Sequence, residues 1–352
     1  MTALFALPDV LAGLILVALN GYVLLAGADF GGGVWDLLAS GPRRAAQRTV
    51  IAEAIGPIWE ANHVWLILVI VLLFSCFPPA FAILATTLHI PLTLMLIGIV
   101  LRGSAFTFRA HHGPDSAPAL RWGRVFAIAS ALTPVFLGVC LGALASGAVP
   151  QAGKTGFYAG FIAPWLTPFC FGVGVLALTL FAFLAAVYLT VEARGIALQE
   201  DFRRRALGAA VAVLIAAGGT LALSLPGAPL VGRGLSASAW ALPLHVATGA
   251  AAVTAIGALW TRRYRVARVA AAAQVSLILW GWALAQYPYV VPPTLTIAEA
   301  AAPALTLTLI LWALAAGALV LFPSLAYLFR VFKREPEAGQ PSSTTQIPRR
   351  TQ

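Results

Sequence analysis

Residues 9–39 read DVLAGLILVALNGYVLLAGADFGGGVWDLLA, an apolar run longer than the roughly 20 residues a helix needs to cross a bilayer. Runs of this kind fill the chain. Of its 352 residues 61% are hydrophobic and only 10% are charged, with a mean hydropathy of +0.91. Soluble domains carry about a quarter charged residues, so a soluble enzyme, a disordered chain and a disulfide-stapled secreted domain are all excluded. The expected fold is an all-α polytopic membrane protein with nine transmembrane helices. Their spans fall at about 9–39, 50–75, 80–102, 124–146, 164–190, 206–225, 240–260, 267–286 and 304–330. Eight of these can form two four-helix bundles, leaving one helix peripheral. Residues 1–332 then make a membrane domain, and 333–352, rich in Pro, Ser, Thr, Gln and charge, an expected disordered cytoplasmic tail. Cys76, Cys140 and Cys170 lie in apolar runs without metal-ligand spacing and read as small core residues.

The formal net charge is +10, but the basic residues sit in short breaks between apolar runs and form no stripe suited to nucleic acid. The breaks holding Arg43, Arg44 and Arg48, then Arg102, Arg109, Arg121 and Arg124, then Arg194 and Arg203 to Arg205, then Arg262, Arg263, Arg265 and Arg268 alternate with breaks that are nearly uncharged. With the tail, 20 Lys/Arg fall on one side and two, Lys154 and Arg233, on the other. The positive-inside rule places the N-terminus outside and the C-terminus in the cytoplasm, as an odd number of spans requires. The first run lacks a basic leader segment before it and reads as a span, not a cleaved signal.

Ionisable side chains inside a bilayer cost at least ~2.5 kcal/mol on insertion scales and normally face protein or water. The first two spans hold four: Asp29 and Asp36, then Glu53 and Glu60. Each pair is seven residues, two helical turns, apart, so its members share a face about 10 Å apart along the axis. Counted from the turn at 40–49, Asp36 and Glu53 lie near the cytoplasmic edge and Asp29 and Glu60 roughly 15 Å deep. If the faces meet, they form a two-rung carboxylate path. Buried carboxylate chains can relay protons. The alternatives are snorkelling of the outer pair toward Arg43 and Arg48, and silent structural pairing of the inner one.

Around the acids, Gly31 and Gly32 permit close helix approach, and Pro57 frees backbone carbonyls. Trp59 and Trp65 flank the deep polar cluster, with Asn62 and His63 beside Glu60. His63 and His89 come out at similar depths, about 18 Å from the cytoplasmic side. Facing each other they could ligate haem iron or a metal; hydrogen bonding to neighbours is the other reading. His111 and His112 fall in a cytoplasmic loop. Residues 287–303, with four prolines, suit a rigid non-helical extracytoplasmic cap.

The runs GADFGGGVWDL (27–37), GPIWEANHVWLI (56–67) and YPYVVPPTLTIAEAAAP (287–303), in that order across nearly the whole chain, resemble subunit II of cytochrome bd-type quinol oxidases. The resemblance implies a nine-span subunit in the bacterial or archaeal cytoplasmic membrane. It implies pairing with a larger subunit I that binds haem b, haem d and the quinol, and assemblies that can include small single-span accessory subunits. The complex oxidises quinol and reduces dioxygen to water with protons from the cytoplasm. Subunit II is not expected to ligate haem, which counts against His63 and His89 as ligands, whereas Asp29 and Glu60 match family positions on a hydrophilic path. This chain departs in having Ala26 where many members have an acid, and Glu60-Ala61 where many have Asp-Gly. The Glu-Ala-Asn-His sequence resembles a branch associated with cyanide insensitivity. Two other readings stay open: a stand-alone proton-coupled transporter using Asp29, Glu60 and His63, and a scaffold whose acids are silent.

Overall fold

The computed structural model describes residues 6–111, 116–149 and 156–332, with the side chains of 56–61, 110, 322, 325–326 and 328–332 outside the description. His112, Lys154 and the tail at 333–352 fall outside the described residues. Helix α1 (Leu7–Leu37) starts on Pro8 with Asp9 in its first turn, where a preset φ and a negative charge both favour helix initiation. Helix α2 (Arg44–Cys76) follows after a turn through Gly41. Pro78 and Pro79 end it, because a proline disfavours helical geometry in the residue before it. The short α3 (Pro78–Thr87) leaves at 119° to the 62–76 part of α2, and α4 (His89–Ala110) returns. The third apolar run therefore breaks at Leu88, and its long helix extends past Arg102.

Helix α5 (Ala117–Ser146) is capped by the Ser116 hydroxyl, and α7 (Pro168–Glu192), after the short α6 (Phe157–Phe161), by that of Thr167. Next come α8 (Ile196–Gly227), the short α9 (Pro229–Ala237), α10 (Ala241–Trp260) and α11 (Tyr264–Gln286). Among the described residues eight helices are long and apolar enough to cross a membrane, nine if the bent α2–α3 pair counts as one. Helix α1 packs on α2, α5 and α7; α4 packs on α5, α7 on α8, and α10 on α11. Large apolar side chains such as Leu214, Ile215 and Val253 point outward, as lipid-facing residues should.

The segment at 287–303 is not wholly non-helical. Strands β1 (Tyr289–Val291) and β2 (Leu295–Thr296) pair antiparallel, and a turn of helix, α12 (Ile297–Ala300), follows. The Ala302 N–H donates to the Cys76 carbonyl at 2.8 Å, fastening this cap to the end of α2. At the opposite end, Arg43 pairs with Asp201, Arg109 with Asp36, and Arg262 with Glu200, so the basic breaks gather on one side. Residues from Ala304 form a second unit, consisting of the apolar helix α13 (Ala304–Phe332).

Candidate functional site

Two polar levels are built around α1. The helix is pressed closely against its neighbours: a Cβ at Gly31 would overlap the Phe181 carbonyl oxygen of α7, and one at Gly32 would lie 2.6 Å from the Ile55 side chain of α2. Glycine is required at Gly31 because backbone, not a movable side chain, stands in the way. This closeness brings Asp29 to its partners. Asp29 is fully buried and forms an ion pair with Arg102 of α4, itself 1% exposed. Its other carboxylate oxygen accepts from the Asn62 amide at 2.6 Å. Arg102 also donates to the Asp29 carbonyl at 3.1 Å and to the Ser130 hydroxyl of α5 at 3.1 Å, and lies over the rings of Phe30 and Phe126 at 4.8 and 4.9 Å. Desolvating two ions costs several kcal/mol each, which good geometry and added hydrogen bonds must offset. The Tyr22 hydroxyl, the Asn62 carbonyl oxygen and one Arg102 nitrogen are buried without a hydrogen-bond partner among the described residues, so the cluster keeps unused donor and acceptor capacity.

Two turns along α1, Asp36 sits between Arg109 of α4 at 3.2 Å and Arg48 of α2 at 3.6 Å. Burial holds the Arg48 guanidinium below the usual arginine range against the pull of Asp36, and the like charges of Arg44 and Arg109 add to this. Beyond it, Asp201 accepts from Arg43 and Gln47, and Gln47 accepts from Arg205 at 2.7 Å. Arg205 lies 5.5 Å from the Trp35 ring centroid. The Trp35 indole N–H in turn donates to the Ala182 carbonyl at 2.8 Å.

The expected carboxylate ladder does not form as drawn. Asp36 meets two arginines, while Glu53 is exposed on the outer surface of α2. Helix geometry explains this. Asn62 fixes the face of α2 that meets α1, together with buried Ile51, Ile55 and Leu72. At 100° per residue, position 53 lies about 180° and position 60 about 160° around from Asn62. That opposite face carries exposed Val64, Ile67, Val71 and Phe74. The side chains of Glu60 and Trp59 lie outside the described residues. Trp65 packs on Gly21 of α1, where an added Cβ would stand 3.1 Å from the indole.

The two histidines are held by different surroundings. His89 is exposed, with Nδ1 2.8 Å from the Thr86 carbonyl and its ring edge-on to Phe161; His63 lies within electrostatic reach of Asp29. Among the described residues no group of three or more His, Cys, Asp or Glu side chains could hold a metal ion. The residue missed from sequence was Arg102, assigned to a cytoplasmic break. Gly103 to Phe108, uncharged after it and before Arg109, was the available sign that the helix continues.

A family model described as cytochrome bd terminal oxidase subunit II matches residues 7–332. Among curated proteins, cytochrome bd ubiquinol oxidase subunit 2 of Bacillus subtilis is 32% identical over 130 residues, 36% of each chain. Cytochrome bd-I ubiquinol oxidase subunit 2 of Escherichia coli K12 is 26% identical over 188 residues, 52% of this chain and 48% of that protein. The matches thus span between a third and a half of the curated relatives' length. A chain in the solved bd oxidase of Geobacillus thermodenitrificans aligns with a TM-score of 0.78 at 21% identity, over 94% of this chain and 100% of that one. At that identity the likeness is one of fold.

Proposed function

The chain belongs to the cytochrome bd terminal oxidase subunit II family, and from that premise we propose that it is the haem-free subunit of a membrane quinol:oxygen oxidoreductase. It would stabilise a larger subunit I and supply part of a cytoplasmic proton path, in a bacterial or archaeal cytoplasmic membrane with its N-terminus outside. The observation that carries this reading is the column of buried acids on α1, at Asp29 and Asp36, within a chain matched by the family over 7–332. Haems b and d, bound in subunit I, would supply electron transfer and oxygen reduction. The separate surroundings of His63, within reach of Asp29, and His89, beside the Thr86 carbonyl and Phe161, support this assignment of the haems to subunit I.

The structure's chemistry divides the acids into two sets. Asp36, reached through the arginine-rich end, can pass a proton toward the Asp29 level, 10 Å or so deeper. There Asn62, Tyr22 and Arg102 have hydrogen-bonding capacity to spare. Glu53 is exposed on the outer face of α2, and helical periodicity assigns position 60 to the same side. An acid on an apolar membrane face is costly against lipid, so this face suits burial against subunit I, with the second set of acids at the joint.

Purification of the chain from its native membrane tests the reading. The expected product contains a larger haem-bearing subunit and consumes oxygen with quinol; a colourless preparation of this chain alone would return the transporter hypothesis to first place. Within the complex, Asp36→Asn and Glu60→Gln should each lower oxygen consumption with haem content unchanged. Wild-type turnover in both would remove the proton path.

A further inference from the structure

At the arginine-rich end lies a cavity of about 80 Å³ lined by Arg44 and Arg48 of α2, Arg109 of α4, and Leu120, Gly123 and Arg124 of α5. Four guanidinium-bearing residues converge there, and the acid that faces them among the described residues is Asp36 of α1, already shared by Arg48 and Arg109. Arg44 and Arg124 make no ion pair or hydrogen bond among the described residues; Asp115 and His112 of the α4–α5 connection lie outside them. Like charges four residues apart on a helix, as Arg44 and Arg48 are, repel. Arg44 and Arg124 are solvent-exposed, and four positive charges facing one described carboxylate leave the cavity with a net attraction for an anion.

The cavity's size and donors narrow the class of anion. Nucleotide-sized ligands need pockets of roughly 300–1,000 Å³, whereas one tetrahedral phosphate group suits this volume. Guanidinium groups bind phosphate through paired N–H donors, and both α2 and α5 begin at the cavity, where helix starts add favourable potential for an anion. Leu120, at its lip, is 47% exposed, and Phe108 and Leu101 on α4 are likewise exposed apolar side chains, a surface an acyl chain could follow.

We propose that this cavity binds a phosphate group, carried by an anionic phospholipid or free in solution. The test uses the purified oxidase complex, stripped of lipid. One arm offers phosphatidylglycerol or phosphatidylcholine and counts retained lipid by native mass spectrometry; the other titrates inorganic phosphate and reads the melting temperature. Each arm compares wild type with Arg44→Gln, Arg124→Gln, their combination, and Arg121→Gln, which removes a charge from the same end without lining the cavity. At about fivefold per arginine, binding should fall roughly thirtyfold in the double variant and stay unchanged in Arg121→Gln. Loss of phosphatidylglycerol retention identifies a lipid headgroup; loss of a saturable phosphate-induced shift identifies the free ion. Equal binding by wild type and both single variants in both arms would overturn the proposal, and so would a map of the complex with a carboxylate of subunit I seated among the four arginines.

Discussion

Replacing Arg102 by methionine keeps most of the side-chain volume and removes the charge facing Asp29. The carboxylate is then fully buried with the Asn62 amide as its remaining described side-chain partner. Breaking a buried ion pair from one side costs ~3–5 kcal/mol. Arg102 also loses its bond to the Ser130 hydroxyl, at about 1 kcal/mol, and its stacking on Phe30 and Phe126, so the upper part of that range is expected. For a chain of this size the melting temperature should fall on the order of 10 °C. Asp29→Asn alone strands the guanidinium instead and should cost a similar amount. The double variant Asp29→Asn/Arg102→Met leaves no unpaired ion, and its cost should lie well below the sum of the two, with a coupling of at least ~2 kcal/mol. Thermal unfolding of the purified complex, followed by tryptophan fluorescence, measures all three. If Arg102→Met shifts stability by less than ~0.5 kcal/mol, or if the two single effects simply add, the buried ion pair does not hold α1 to α4.

Gly31→Ala should destabilise the subunit by ~1–3 kcal/mol, since the new Cβ meets the Phe181 carbonyl, whereas Gly32→Ala meets only the flexible end of Ile55 and should cost less than ~1 kcal/mol; unfolding midpoints of the two variants decide it. Asp36→Asn should lower the rate of oxygen consumption several-fold, while Arg43→Gln, at the exposed Asp201 pair, should leave it within about twofold, the measured surface-pair contribution being small. The Thr296 N–H and hydroxyl hold the Glu299 carboxyl below its ordinary range, so its contribution to the 287–303 cap is complete above the unfolded carboxylate value of about 4.3 and is lost as pH falls through the lower folded value. Hydrogen exchange at Thr296 should accelerate in that acid window in the wild type, and Glu299→Gln should be fast at neutral pH already.

The helical membrane fold was legible because every span must satisfy its own backbone in lipid, which leaves long apolar runs in plain view. Asp29 and Asp36 stood out for the same reason, and both are buried. What the sequence could not supply was rotation about each helix axis. Seven-residue spacing puts Glu53 and position 60 on one face of an ideal helix, but nothing local says which face of α2 meets α1; Asn62 and Ile55 decide that through contacts with residues 33 and 23 positions away. Arg102 was misplaced by a different cause. A buried arginine and a loop arginine look alike in a charge count, and only the partner Asp29, 73 residues away, distinguishes them.

The separation of the acids into two faces constrains how they can act together. Asp29 and Asp36 are each in contact with arginine, so the α1 column carries compensated charge and can persist in the low-dielectric interior without a partner subunit. The outer face of α2 has no such compensation among its described residues: Glu53 makes no ion pair there, and further along the same face Val64, Ile67 and Val71 are apolar and exposed. Among the described residues Glu53 has no hydrogen-bond partner on this face. On the proposed path, protons entering at Asp36 would move along α1 in a medium this chain builds by itself, while exchange through Glu53 would require a second subunit closed over α2. On that proposal, assembly would complete the second half of the route and shield it from lipid in the same step, offsetting the insertion cost of an acid on a membrane face.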